Sequence, residues 1–343
     1  MPLLRAEEMT YAHIQKMPKE RSIAFLSASA LEVHGPHLPL GMDMFMAVWQ
    51  KEETAKRFAE SHPDWTVVVY PHLPVGTDEL PLAGSMHGSQ QTVYNALISH
   101  GASLSKAGYG YAVITNGHGG ARHASALEAA CRRVSRKHDI QMFSPSIAVL
   151  HGIVAGARHQ QVEENLGRPL NDGEREGLLA GEHAGTMETS FALAERPKQV
   201  DGSYTALKLD GPPAFTPLKV VSRAMGNTGN GEAIAHGVGW LLNAHFGYGR
   251  SYKVTYQGDP SAGSAELGQA IRETMVQGCL KYVEAVTSGE IVAADVRSIA
   301  SDPAVIQPGF WQRIALGAAI VSGLGLVWTL RRWPADESRR SIH

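Results

Sequence analysis

The chain has 343 residues, 43% of them hydrophobic, with 31 basic against 33 acidic side chains and a formal charge of −2 at pH 7. That is enough apolar material for a large core, and it excludes the strongly basic surface of a nucleic-acid-binding protein. Two cysteines far apart, Cys131 and Cys279, exclude a disulfide framework or a finger-type thiolate zinc site within the chain and suit a reducing compartment.

The first residues, "MPLLRAEEMTYAHIQKMPKERS", hold no apolar run of the signal-peptide kind and carry acids where a transit peptide avoids them, so a cytoplasmic catalytic domain is expected. "SIAFLSAS", residues 22–29, then reads as a buried strand, and "MFMAVWQKEETAKRFAE" has the apolar spacing of a helix. "WTVVVYPHLPVG" is a second strand running into a loop, "TVYNALISHGASLSKAG" a helix, "YAVITNGHGG" a strand with a Gly-rich turn, and "ARHASALEAACRRVSRKH" a helix again. Strands alternating with amphipathic helices predict parallel βαβ units, so the chemistry belongs at the carboxyl ends of the strands.

Residues 151–181, with "RHQQVEENLGRPLNDGEREG", read as a polar loop or lid. The prolines of "VRSIASDPAVIQPG" mark a linker over 293–309 after a domain of residues 1–292. The run Ile314–Leu330 has no charge, with arginines and tryptophans at its edges. As a helix it spans about 25 Å, which makes 310–333 a candidate transmembrane anchor followed by a polar tail, 334–343.

The densest chemistry lies in "LEVHGPHLPLGMD", residues 31–43. Glu32 and His34 stand two apart at a strand end and project to the same side, and the turn "GPHLPLG" can swing Asp43 back toward them. His118 of "TNGHGG" adds an imidazole from another strand end. Nitrogen and oxygen donors without thiolates suit Zn, Mn or Fe, and a carboxylate such as Asp43 can bridge two ions. In "GEHAGTMETS", His183 is a general acid/base candidate; Glu188 is a ligand, an orienting partner or, with Thr189, the cap of a helix starting near Thr189 and Ser190. Asp78, Glu79 and His87 stand where they could line the mouth of a pocket, but read first as ordinary polar residues of an exposed loop.

Together, "EVHGPHLPLGMD", "NGHGG" and "HAGTMETS" resemble the creatininase family of metal-dependent amidohydrolases over about residues 20–250. The resemblance implies a single three-layer α/β/α domain with a mainly parallel sheet, a homo-oligomer, two divalent metal ions per chain, and hydrolysis of a non-peptide or cyclic C–N amide bond. Carried over by position, Glu32, His34, Asp43 and His118 match metal ligands, with Asp43 the bridging one, and His183 matches the histidine that handles the proton at the scissile nitrogen. Creatininase has a further ligand glutamate where this chain has Gly120, and Glu188 is taken as its replacement. Ser29, Ala30, Val33 and Ala121 depart from the family pattern, so creatinine itself is not implied. The competing expectation is a membrane-attached scaffold or regulatory protein that keeps the fold with altered catalysis.

Overall fold

The computed structural model describes residues 3–179, 183–207, 255–302, 304–310 and 312. Among the described residues five strands form one parallel sheet: β1 (Leu4–Arg5), β2 (Ser22–Ala28), β3 (Thr66–Leu73), β4 (Tyr111–Thr115) and β5 (Gln141–Phe143), in the order β1-β3-β2-β4-β5. β2 is central, with Phe25 opposite both Val69 and Val113. Being covered on both faces, it is buried along its whole length and apolar from Ile23 to Leu26 rather than alternating, which is the pattern of a buried parallel strand.

Helices cover both faces. Ala24, Leu26 and Ala28 turn one side of β2 toward α3 (Gln90–Lys106) and α4 (Ala121–Lys137), packing with Val93, Leu97, Leu127 and Val134. Ile23 and Phe25 turn the other side toward α2 (Met42–Ser61) and a long late helix, packing with Ala55, Phe58, Val283 and Val286. α2 buries Met42, Met46, Gln50, Thr54 and Phe58, one residue every four, so a single stripe faces the sheet. The chain leaves β2 toward β3, then crosses back over β2 to reach β4 on its other side. That reversal opens a crevice at the carboxyl ends of β2 and β4.

Two expectations need correction. The stretch expected to be a loop or lid, 151–181, holds the last turn of α5 (Ser146–Val154) and the helices α6 (His159–Leu166) and α7 (Asp172–Leu179). Its charges are held in ion pairs such as Arg175–Glu163 and Arg168–Glu174, the latter with its carboxylate buried, and Val162, Leu170 and Leu178 are buried as well. Short helices with one narrow apolar stripe show too little periodicity to stand out of a charged stretch. They pack with α8 (Thr186–Glu195) and the late helix α9 (Ala265–Thr287) around Met187, Phe191, Ile271 and Met275.

The expected linker over 293–309 is instead clasped to the domain. The buried Glu128 carboxylate of α4 accepts from the Ser298 N–H at 2.9 Å and from the Ser301 hydroxyl, and the Ile306 carbonyl accepts from Gln90 and Ser125. Prolines break helices but do not prevent docking through side-chain hydrogen bonds. No helix among the described residues is long and apolar enough to cross a membrane. The candidate anchor, residues 314–330, and the polar tail lie outside the described residues.

Candidate metal centre

The crevice holds the sequence-predicted residues together. β2 ends at Ala28 and delivers Ser29 to His34; β4 ends at Thr115 and delivers Asn116 to His118; Ser27 pairs with Thr115 across the two strands. Ser29 Oγ donates to Asn116 Oδ1 at 2.8 Å and accepts from the Gly117 N–H, so the two strand ends are tied beside the cluster. Asn116 also accepts from the His118 N–H and donates to its carbonyl, holding the turn that carries the ring. A β-carbon on Gly117 would lie 2.3 Å from the Asp43 carbonyl oxygen and 2.8 Å from Met46. Only glycine allows α2 to approach this closely, and that approach brings Asp43, in its first turn, into the crevice.

Glu32, His34, Asp43, His118, His183 and Glu188 are all buried, between 0 and 6% exposed. His34 Nε2 lies 3.2 Å from Asp43 Oδ1 and 3.5 Å from Glu188 Oε2. His118 Nδ1 lies 3.1 Å from Glu32 Oε2 and 3.1 Å from Asp43 Oδ2. The donor atoms therefore fall into two groups suited to a metal ion, His34–Asp43–Glu188 and Glu32–Asp43–His118, which share the two oxygens of Asp43. A third combination, Glu32–His34–His183, overlaps them.

The opposite nitrogen of each ring is spoken for. His34 Nδ1 donates to the Glu32 carbonyl at 3.0 Å, and His118 Nε2 donates to the Thr77 carbonyl at 2.9 Å. Each backbone acceptor selects the tautomer whose lone pair faces the carboxylates, an arrangement typical of metal-binding histidines. Glu32 Oε2, His34 Nε2 and Asp43 Oδ2 have no hydrogen-bond partner among the described residues, although all are buried. Orphaned polar atoms converging on one point are costly unless a cation sits among them.

Electrostatics gives the same answer. Burial disfavours a charged His34, yet Asp43, Glu188 and Glu32 outweigh it and push its pKa up to about 10; His118 is raised well above its ordinary value against the same penalty by Asp43 and Glu32. Burial likewise opposes the Asp43 carboxylate, but the two rings hold it far below the usual range. Glu188 is pushed up by burial, with His34 offsetting only part. Without an ion the cluster recruits protons to supply positive charge, the demand a divalent cation meets.

His183 lies one residue before the left-handed Ala184 and pairs with Gln257 as a short antiparallel bridge. Its Nε2 donates to the Val33 carbonyl at 2.8 Å, and its ring lies over that of His34 at 4.5 Å between centroids. α8 starts at Thr186, three residues before the expected point, which puts Glu188 in its first turn with Oε2 accepting from the Ala184 N–H at 2.6 Å.

In the loop after β3, His87 is exposed as expected, but Asp78 and Glu79 are not ordinary exposed polar residues. Glu79 is 4% exposed and pairs with His87 at 3.0 Å, Asp78 accepts from the Arg122 N–H, and the Leu80 N–H donates to Glu32 Oε1 at 2.6 Å. Sequence reasoning also missed His123, whose ring stands edge-on to His118 at 5.0 Å, and His37, whose Nε2 bonds Thr189 Oγ1 at 2.9 Å. Burial pushes these two imidazoles down to about 3 and about 4, so they stay neutral. Asn116 stands inside a motif already singled out and was legible; the roles of Thr77 and Leu80 belong to backbone atoms and leave no residue-type signal.

A parallel α/β domain with two carboxylate–imidazole groups sharing one aspartate has the architecture of a metal-dependent amidohydrolase. Residues 7–283 match the sequence profile of the family Creatininase, described as creatinine amidohydrolase, and the chain belongs to that family. Its fold is similar to the crystal structure of creatinine amidohydrolase (creatininase), with a TM-score of 0.56 and 20% identity over 82% of this chain and 97% of that one. It is also similar to creatininase with Mn (TM-score 0.52, 19% identity, 82% and 98% covered) and to a mutant creatininase of Zn–Zn type (0.53, 19%, 83% and 98%). No curated protein matches the sequence.

Proposed function

We propose that this chain is a metal-dependent hydrolase that cleaves a non-peptide C–N bond in a small cyclic amide or formamide-type substrate. The observation that carries the reading is the pair of donor groups sharing Asp43, each with a histidine nitrogen turned inward and its other nitrogen committed to a backbone carbonyl. His34, Asp43 and Glu188 would hold one divalent ion, and Glu32, Asp43 and His118 the other; Zn, Mn and Fe suit these donors. When bound, such a pair supplies an activated water near neutral pH and polarises the amide carbonyl.

The remaining steps belong to the chain's own residues. The Val33 carbonyl holds the proton of His183 on Nε2, so Nδ1 is the atom that exchanges a proton with the departing nitrogen. Glu188 is steadied by the Ala184 N–H, which aims Oε2 at the ion-facing side of His34. The burial of all six side chains excludes bulk water and strengthens every charge interaction in the crevice. Ser29, Ala30 and Val33 depart from the family pattern beside the cluster, so the proposal extends to the bond type and does not claim creatinine as the substrate.

We also propose homo-oligomerisation, from family membership, and attachment of a cytoplasmic catalytic domain to a membrane through residues 314–330, from their apolar sequence and its Trp and Arg borders. The deciding experiment is metal analysis followed by a substrate panel of lactams, hydantoins, formamides and short peptides. The expected outcome is about two divalent ions per chain and metal-dependent release of an amine from a cyclic amide or formamide. A metal-free protein of undiminished stability would refute the enzyme reading and favour a scaffold.

A further inference from the structure

The loop joining β3 to α3 reaches over one half of the cluster. Within four residues it supplies two backbone groups to two different donors: the Thr77 carbonyl accepts from His118 Nε2 at 2.9 Å, and the Leu80 N–H donates to Glu32 Oε1 at 2.6 Å. These are the two donors of the Glu32–Asp43–His118 group that the other group does not share. In the second group, His34 is oriented by the Glu32 carbonyl and Glu188 by the Ala184 N–H, neither of which lies in this loop.

Between the two backbone groups stands Asp78, whose φ of 75° is in the left-handed region that non-glycine residues rarely adopt. Its carboxylate holds it there by gripping α4: Oδ2 accepts from the Arg122 N–H at 2.7 Å and Oδ1 pairs with Arg122 Nε. The loop then fills the space over Gly120. A β-carbon at that position would lie 2.6 Å from His118 Nε2, 2.8 Å from Asp78 Cβ and 3.0 Å from the Thr77 carbonyl oxygen, so no side chain fits there without moving the loop.

We infer that Asp78 is a positioning residue: its grip on Arg122 seats the Thr77–Leu80 stretch, and that stretch aims the His118 ring and the Glu32 carboxylate at one of the two ions. Over Gly120 the loop takes the place from which a further ligand side chain could otherwise have emerged. Because the Thr77 and Leu80 backbone groups bond His118 and Glu32 and neither His34 nor Glu188, the grip acts on one ion position and not on both. This rests on the proposal that the two donor groups hold ions.

The test titrates the ion-free full chain with Co2+, following its visible absorption and the binding isotherm, for the wild type, Asp78→Ala, Asp78→Asn and Gly120→Ala. Asp78→Ala should weaken one of two binding events roughly 10–100-fold, the usual effect of losing an outer partner, and leave the other within about two-fold. Asn tolerates the left-handed region and retains an acceptor for the Arg122 N–H, so Asp78→Asn should recover to within a few-fold of the wild type. Gly120→Ala should reproduce the alanine defect by pushing the loop off His118. In nitrogen-15 NMR of the ion-free proteins, the His118 Nε2–H should be slow to exchange in the wild type and in Asp78→Asn, and fast in Asp78→Ala. Two unchanged binding events in Asp78→Ala, or equal weakening of both, overturns the inference while the metal reading stands. A wild type that binds no Co2+ removes both.

Discussion

Replacing Asp43 by alanine tests the arrangement most sharply, because both donor groups use it and each would keep two donors: His34 with Glu188, and Glu32 with His118. A ligand lost to an ion costs no less than the roughly 100-fold at the upper end for outer partners. With a metal ion at about 100 times its Kd, each intact position stabilises the fold by about 2.7 kcal/mol, or about 5.4 kcal/mol for two. At about 2 °C per kcal/mol for a chain of this length, the wild type should melt about 11 °C higher with metal than without. In Asp43→Ala the same concentration only equals each weakened Kd, leaving about 0.4 kcal/mol per position and a shift of about 2 °C. His34→Ala touches one group and should keep a shift of about 6 °C by the same reasoning. Thermal melting across a Zn2+ or Mn2+ titration, with metal analysis of the purified variants, reads all three. If Asp43→Ala retains two ions and a wild-type shift, Asp43 is not the shared ligand.

His183→Ala should keep its metal content and lose roughly 10²–10⁴-fold in kcat, the range for lost acid/base assistance; unchanged turnover on an identified substrate would reduce the residue to its packing against His34. Ion binding should strengthen as pH rises. Burial opposes charge on His34, but the surrounding carboxylates hold its ion-free pKa up to about 10, so at neutral pH an entering ion must displace its proton, and apparent affinity gains up to about tenfold per pH unit for each proton displaced. Calorimetric titrations at about pH 6 and pH 8 check this, and equal affinities would contradict it. For the terminal segment, the full chain should pellet with membranes and resist a carbonate wash, while a chain ending at Pro308, which retains the Ile306 contacts with Gln90 and Ser125, should stay soluble and folded. Full-length protein in the soluble fraction without detergent refutes the anchor.

The β2–α2–β3–α3–β4–α4 run was legible in the sequence because each element carries its own pattern: β2, buried on both faces, holds a continuous apolar run, and α2 repeats its buried residues every four positions. The residues of the candidate cluster were legible for a related reason. Glu32, His34, Asp43 and His118 are residue types that a core otherwise rejects, and they fall where strands end. His183 and Glu188 stood out through their motif, although the start of α8 was misplaced because no side chain caps it; its N-cap is Gly185.

What only the tertiary structure decided is everything that depends on a partner distant in sequence. Helices α6 and α7 and the turn between them bury Val162, Leu178 and Leu170 in the core shared with α8 and α9, and their charged outer faces hid them. The segment after 293 docks because Glu128, some 170 residues earlier, meets Ser298 and Ser301. Asp78 and Glu79 looked like loop polarity, since residue type does not tell whether a loop will lie over a buried cluster. The tautomers of His34 and His118 are set by the carbonyls of Glu32 and Thr77, and every residue type carries a carbonyl. The sequence by itself determined which chemical groups are available and which faces they prefer; the fold decided which lone pairs meet, because that depends on distances of a few ångströms between strand ends and a loop far apart along the chain.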